Sequence, residues 1–287
     1  MSVNQNSSER EWDLVLKPKN RWYEIDLVGV WHYRDLVLLF VRQDFVSQYK
    51  QTILGPLWMV IQPLLTTLMF SIIFGTIAAI PTGGAPRLIF YLAAFVPWSY
   101  FSECFNRNAG TFTSNAAVFG KVYFPRLVRP ISVMISSVYR FAVQALVFTI
   151  IYFIFFFQGA RICPTTLIIF VPVLILMTGL YAMSMGLIVS SLTTKYRDLN
   201  FMTGVIIQLL MYGSSVVFAY ADMPDNLKMY LKWNPLMWIM EAFRYATLGI
   251  GTWSWIGLAY SSVVLVFLLC VGIISFSKVE KSFMDTI

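Results

Sequence analysis

Charge is scarce in this chain. Of 287 residues, 12% are Asp, Glu, Lys or Arg, where soluble domains carry about a quarter. Histidine is almost missing: His32 is the single one, and no HExxH, GxSxG or clustered acids accompany it. These gaps exclude the usual membrane hydrolases and metalloenzymes, which need a nucleophile, an acid/base pair or a metal site. Cysteine is limited to Cys104, Cys163 and Cys270, scattered near apolar runs without paired or metal-ligand spacing, and reads as packing. The phosphate-binding pattern GxxxxGK[ST] is absent, since Gly120-Lys121 is followed by Val122, so this chain does not hydrolyse ATP by a P-loop. No cofactor or metal is expected on it.

Hydrophobic side chains make up 58% of the chain and the mean hydropathy is +0.70. A helical crossing of a bilayer needs roughly 20 apolar residues. Runs of that kind fall at about 57–79, 88–105, 131–157, 165–191, 201–220 and 256–276. The runs are unbroken rather than alternating, so helices and not barrel strands are expected. The fold class is all-α: a polytopic membrane protein of six spans, with residues 1–56 as an N-terminal segment, 57–276 as the membrane domain and 277–287 as a tail. The segment before the first span holds seven basic and seven acidic side chains, unlike a cleaved signal.

Basic loops stay in the cytoplasm. With the amino terminus inside, fifteen Lys and Arg fall on inner segments and five on outer ones: Arg87, Arg161, Lys228, Lys232 and Arg244. Both termini are therefore expected in the cytoplasm. The net charge of +7 then reflects this topology and anionic lipid, without a nucleic-acid partner.

Ahead of the first run, "YRDLVLLFVRQDFVSQYKQ" (33–51) places Leu36, Leu39, Phe40, Phe45 and Tyr49 on one stripe, with Arg34, Asp35, Arg42, Asp44 and Lys50 elsewhere. That pattern predicts an amphipathic helix lying in the interface. Pro97 and Pro172 fall within spans two and four and predict kinks. A short helix is expected at 115–122. Between spans five and six, two short amphipathic helices, about 225–232 and 236–248, would dip into the outer leaflet and return. The span interiors hold few ionisable groups: Glu103 and Arg107, one turn apart, read as a simple ion pair, and Arg140 lies about two turns into span three. A proton relay has little to work with. Aromatics are plentiful instead, including Tyr91, Phe95, Trp98, Tyr100 and Tyr212, whose faces can stack on sugar rings.

Four stretches carry a family resemblance: "RDLVLLFVRQDFVSQYKQTILGPLWMVIQPL" (34–64), "KVYFPRLVRPIS" (121–132), "SLTTKYRDL" (191–199) and "WNPLMWIMEAFR" (233–244). With six spans over about 290 residues, the chain resembles the membrane subunit of ABC-2 type exporters, in the branch that exports O-antigen, capsule or teichoic acid chains. The resemblance implies export of a lipid-linked polysaccharide, most simply O-antigen, across the bacterial inner membrane by two copies of this chain and two separate P-loop ATPase subunits, which would bind the ATP and Mg. It also implies ATPase-coupling roles for Arg34, Arg42, Asp44, Gln48, Tyr49, Lys50, Lys121, Tyr123, Pro125 and Arg126. Outer gate helices would include Trp233, Asn234, Pro235, Trp238, Glu241 and Arg244, and Tyr91, Phe95, Trp98, Tyr100 and Tyr212 would line the path. Two other readings are an exporter of the same fold for drugs or small lipids, and a membrane acyl- or glycosyltransferase; the second lacks facing catalytic acids or histidines.

Overall fold

A computed structural model describes residues 27–50, 53–119, 124–196 and 198–284. Among these the structure is helical and has no strand. The helices run α1 (Leu27–His32), α2 (Arg34–Tyr49), α3 (Trp58–Phe70), α4 (Arg87–Ala109), α5 (Thr111–Phe119), α6 (Val128–Phe157), α7 (Val171–Thr193), α8 (Leu199–Gly213), α9 (Asp225–Leu231), α10 (Pro235–Leu248) and α11 (Trp255–Met284).

Among the described residues, five helical segments are long and apolar enough to cross a bilayer: Gly55–Ile77, Arg87–Ala109, Val128–Phe157, Thr166–Thr193 and Trp255–Glu280. Five of the predicted runs thus match within a few residues at their starts, and 256–276 is the first part of a longer helix, Trp255–Met284. The run predicted at 201–220 differs. Its helix, α8, has 15 residues, which at about 1.5 Å per residue is shorter than the roughly 30 Å hydrocarbon core. It stops at Gly213, and Ser215 adopts φ 59°. The reason lies in α10, whose Arg244 takes the carbonyls of Ser215 and Phe218 while Glu241 takes the Tyr220 N–H. Backbone groups that a longer helix would have paired internally are bound by a buried ion pair instead.

The hub is α4. Of its most apolar stretch 72% is buried, against 17–33% in the other four spans, because α3, α6, α7 and α10 all pack against it. It runs as one helix through Pro97. Against α4 lies α7, and small residues let the two backbones approach, the usual basis of helix association where lipid is as apolar as the side chains. A Cβ added at Gly186 of α7 would stand 2.5 Å from the Asn108 Cβ of α4. Pro172 falls in the first turn of α7, after a 3₁₀ turn at Thr166–Phe170, where its missing N–H costs nothing. Pro63 lies inside α3, which continues into a π-helical stretch at Ser71–Ile77.

The two ends of α4 are capped differently. Near its start, α10 is set by Asn234, whose side chain accepts from the Leu236 N–H at 3.0 Å ahead of Pro235. It ends at Gly249, φ 72°, where a Cβ would meet the Cys163 carbonyl oxygen at 2.7 Å. Arg244 and Glu241 of α10 are fully buried, 2.9 Å apart, with the Arg244 guanidinium 4.3 Å from the Phe90 ring centre. Glu241 also accepts from Ser215 and from the Tyr220 and Thr252 N–H groups. Near the other end of α4, about 25 Å away along a helix of this rise, a second cluster gathers Val37 and Phe40 of α2, Phe112 and Phe119 of α5, Phe124, Val128, Leu187 and Phe276. Phe112 stacks on Phe276 at 4.5 Å, joining α5 to the far turns of α11.

Removing one partner of a buried pair strands the other, at about 3–5 kcal/mol. Arg244→Met should therefore lower the thermal unfolding midpoint of the detergent-solubilised chain more than the double change Glu241→Leu/Arg244→Met does. A double variant that melts below the single one would contradict this assignment.

Candidate functional site

At the α2 end, a polar network ties four helices together. Asp44 of α2 is buried. Its carboxylate accepts from Arg129 Nη1 at 3.0 Å and Nη2 at 2.9 Å, a two-pronged pairing that fixes orientation as well as distance. It also accepts from Ser136 Oγ at 3.1 Å and pairs with Arg107. Arg129 reaches further, donating through Nε to Asn115 of α5 at 3.0 Å while its guanidinium lies 5.2 Å from the Phe40 ring centre. Arg107 donates to Ser136 at 2.9 Å and lies 3.9 Å from Glu103; Glu103 in turn pairs with Arg140 of α6 at 2.9 Å. The Glu103–Arg107 pair expected from the sequence is thus the weaker part of a larger array.

This array redefines α2. The packed face is Val37, Phe40 and Asp44, at spacings of three and four, the neighbours on a helix surface. Of the predicted stripe, Phe40 is buried, but Leu39 is 59% exposed and Phe45 38%. Sequence reasoning placed the stripe one position off because it scored Asp44 as a solvent residue, and a buried carboxylate paired by two arginines defeats that assumption. Phe45 still meets Tyr139 of α6, ring to ring, at 4.8 Å.

The predicted coupling residues divide. Arg34, Arg42 and Lys50 are exposed. Asp44 is turned inward and cannot offer its carboxylate to another chain without breaking the array. Arg126 is also turned inward, 3% exposed, donating to the Glu280 carbonyl at 3.2 Å with its guanidinium 5.3 Å from the Phe119 ring centre. Burial lowers the pKa of its guanidinium, partly offset by Glu280. Pro125 is half-buried. Lys121 and Tyr123 lie outside the described residues, as do the side chains of Gln48 and Tyr49. The predicted helix at 115–122 is α5, beginning four residues earlier. Arg129, Ser136 and Phe40 were missed as site residues. Arg129 stands in "KVYFPRLVRPIS", three residues after the arginine that was chosen.

At the other end, Trp233 is 64% exposed and its carbonyl accepts from Tyr260, while Trp238 donates to the Lys232 carbonyl at 3.0 Å. Glu241 and Arg244 hold the backbone rather than facing outward. The predicted path aromatics separate too. Tyr91 and Tyr100 are sealed inside the chain's own core, with Tyr100 against Phe141 at 5.6 Å, so neither can line a conduit between copies in this arrangement. Phe95 and Trp98 border a groove between α3, α4 and α6, and Tyr212 is 43% exposed. Aromatic content alone did not separate the core of α4 from its open side.

Residues 35–248, from the start of α2 to the end of α10, match the model of the ABC-2 type transporter family. The chain belongs to that family. An O-antigen export system permease protein RfbA of Klebsiella pneumoniae is 23% identical over 253 residues, covering 88% of this chain and 94% of the relative. The polysialic acid transport protein KpsM of Escherichia coli is 23% identical over 254 residues, covering 86% and 94%. An RfbA of Myxococcus xanthus is 22% identical over 217 residues, covering 75% and 81%. This ABC-2 chain is accordingly a membrane permease rather than an enzyme, and the family implies an ATPase partner.

Because Asp44 joins α2 to α4 and α6, Asp44→Asn should loosen α2 specifically. Losing one charged partner of this partly exposed array costs about 2 kcal/mol, so amide exchange across Arg34–Tyr49 should quicken by roughly 30-fold. Hydrogen-exchange mass spectrometry on the detergent-solubilised permease reads this; equal protection in both forms would show that α2 is held by its apolar contacts alone.

Proposed function

We propose that this ABC-2 permease is the membrane subunit of an ATP-driven exporter that carries a lipid-linked polysaccharide, O-antigen or a closely similar glycan, across the bacterial inner membrane. The observation that carries the reading is coverage. The family match runs from α2 through α10, and relatives named for O-antigen and polysialic acid transport align over nearly their whole length. The task itself explains the need for a dedicated passage. Each polar group left unsatisfied in hydrocarbon costs several kcal/mol, so a polymer of hydroxyls needs a wetted route while its lipid anchor stays in the bilayer.

In this reading α2 lies on the cytoplasmic side, with both termini, as the distribution of Lys and Arg favours. Exposed Arg34, Arg42 and Lys50, with Lys121 and Tyr123 of the following loop, contact a separate P-loop ATPase that binds ATP and Mg. Two copies of the permease enclose the passage, two ATPase subunits complete the assembly, and α8 with the residues after it makes the sixth crossing. Helices α9 and α10 form the outer, re-entrant gate. Motion of the ATPase reaches the spans through Asp44, because a push on α2 is delivered directly to Arg107 of α4 and Arg129 of α6. Arg126 acts by holding the loop after α5 to α11.

Arg34→Glu/Arg42→Glu reverses two exposed charges without touching the packed face of α2. It should lower surface glycan in a permease-deletion strain at least tenfold and reduce co-purification of the partner ATPase, while the permease melts as wild type does. Full glycan export by this variant would remove the docking role. ATPase activity that answers to hydrophobic drugs and not to glycolipid would replace the polysaccharide assignment with the small-lipid one.

A further inference from the structure

Pro63 stands inside α3. A proline has no N–H, so within a helix it leaves the carbonyl four residues earlier without its usual donor. Here that carbonyl belongs to Met59. It lies on the stripe of Met59, Pro63 and Thr67 that α3 turns inward, and Met59 is 3% exposed, so water is no ready substitute. The donor comes from another span: Gln144 of α6, itself buried, directs its Nε2 to the Met59 carbonyl oxygen at 3.4 Å. Neighbouring helices can close proline gaps in membrane spans in this way. The amide is held in orientation, because its Oε1 accepts from Ser99 Oγ of α4.

Gln144 is also the last rung of a regular seam between α4 and α6. Ser99 meets Gln144, Glu103 meets Arg140, and Arg107 meets Ser136. The steps are four residues on each helix, in opposite directions, which is the spacing of side chains stacked on one helix face. At the Ser136 rung the seam receives Asp44 of α2. Eight residues along α6, about 12 Å at helical rise, it receives Met59 of α3. Helices α2 and α3 follow one another in the chain, so a single seam fastens both.

A helix that lacks a bond at one carbonyl bends there most easily. In α3 little packing opposes the bend, since 17% of the most apolar stretch of its span is buried. We propose that Gln144 is a positioning residue of the transport cycle: its amide supplies the hydrogen bond that Pro63 removes, and so makes the first turns of α3 move with the seam. The bond itself stands on the geometry alone, whereas its role in transport rests on the export reading, in which α2 receives the push. With the bond made, displacement at Asp44 carries α3 along. Without it α3 gives way at Pro63, and the movement is lost there.

The test is a double-mutant cycle. Gln144→Met keeps the length of the side chain but removes the donor; Ser99 then turns to the Val96 carbonyl, 3.0 Å away, and only the Met59 carbonyl is stranded. Pro63→Ala restores an N–H at position 63 and with it the bond inside α3. In the full-length permease in nanodiscs, Gln144→Met should lower the melting midpoint by about 4 °C, and by less than half of that beside Pro63→Ala. Equal losses in both backgrounds overturn the assignment. Should Gln144→Met alone give no folded protein, recovery on adding Pro63→Ala is the same positive result, and failure to recover the same refutation. The positioning role is read in the complex of permease and ATPase as glycan exported per ATP hydrolysed, a ratio that a mere shortage of folded permease leaves unmoved. It should fall about fivefold in Gln144→Met and return to within about twofold of the Pro63→Ala value in the double variant; an unchanged ratio overturns the role. The melting cycle uses no glycan. A cycle that behaves as expected beside a wild-type complex that moves no glycan would sink the export reading and spare the Gln144 bond.

Discussion

Asp44 is the point through which the rest of the permease is organised. A carboxylate buried at the edge of a membrane domain is tolerable only when its charge is answered, and here two arginines from two different spans answer it. That requirement fixes where α2 sits, because no other register brings Asp44 to both Arg107 and Arg129. It also fixes the spacing of α4 and α6, since each supplies one of the arginines. The apolar cluster around Phe40, Phe119 and Phe124 adds area but little direction, and the forked pairing of Arg129 supplies the direction. An element that is exposed on one side and ionically bound on the other is suited to pass force, because its contact with the spans is stiff and specific.

Symmetry of purpose runs through the two ends of α4. At one end Asp44 and its arginines attach a helix that lies outside the bundle; at the other Glu241 and Arg244 attach loops that interrupt it. Both use a carboxylate as a hub for several donors. They differ in accessibility: the Glu241–Arg244 pair is sealed, whereas Arg107 and Arg140 touch open space. A sealed pair holds its loops out of reach of solvent, while arginines that border a groove keep part of their surface open.

Much of the fold could be read in advance, because a bilayer imposes a simple length rule and five long apolar runs obey it. The start of α10 at Pro235 also falls within one residue of the expected 236. The sixth run is shorter as a helix than its apolar length suggests, since Ser214 and Ser215 are compatible with a span by composition and only the buried Arg244 shows that the Ser215 and Phe218 carbonyls are claimed elsewhere. The candidate site was half legible. Arg34 and Arg42 stand exposed, but Asp44 and Arg126 are turned inward, and a sequence does not say which charged residue has found a partner far along the chain. Tyr91 and Tyr100 are buried within the chain for a related reason: α4 is surrounded, so being aromatic on it says nothing about facing water.

The π-helical stretch that closes the first span, Ser71–Ile77, has an evolutionary corollary. Its wider winding closes hydrogen bonds five residues apart instead of four, as between Ala78 and Ile73, and so it stores one residue beyond what an α-helix would use over the same rise. Deleting a residue there tightens the coil; inserting one there extends it. Length changes that would ruin the register of α4 or α7 can thus be absorbed at this position, and descendants of a common ancestor can adjust to thicker or thinner bilayers without rebuilding the bundle.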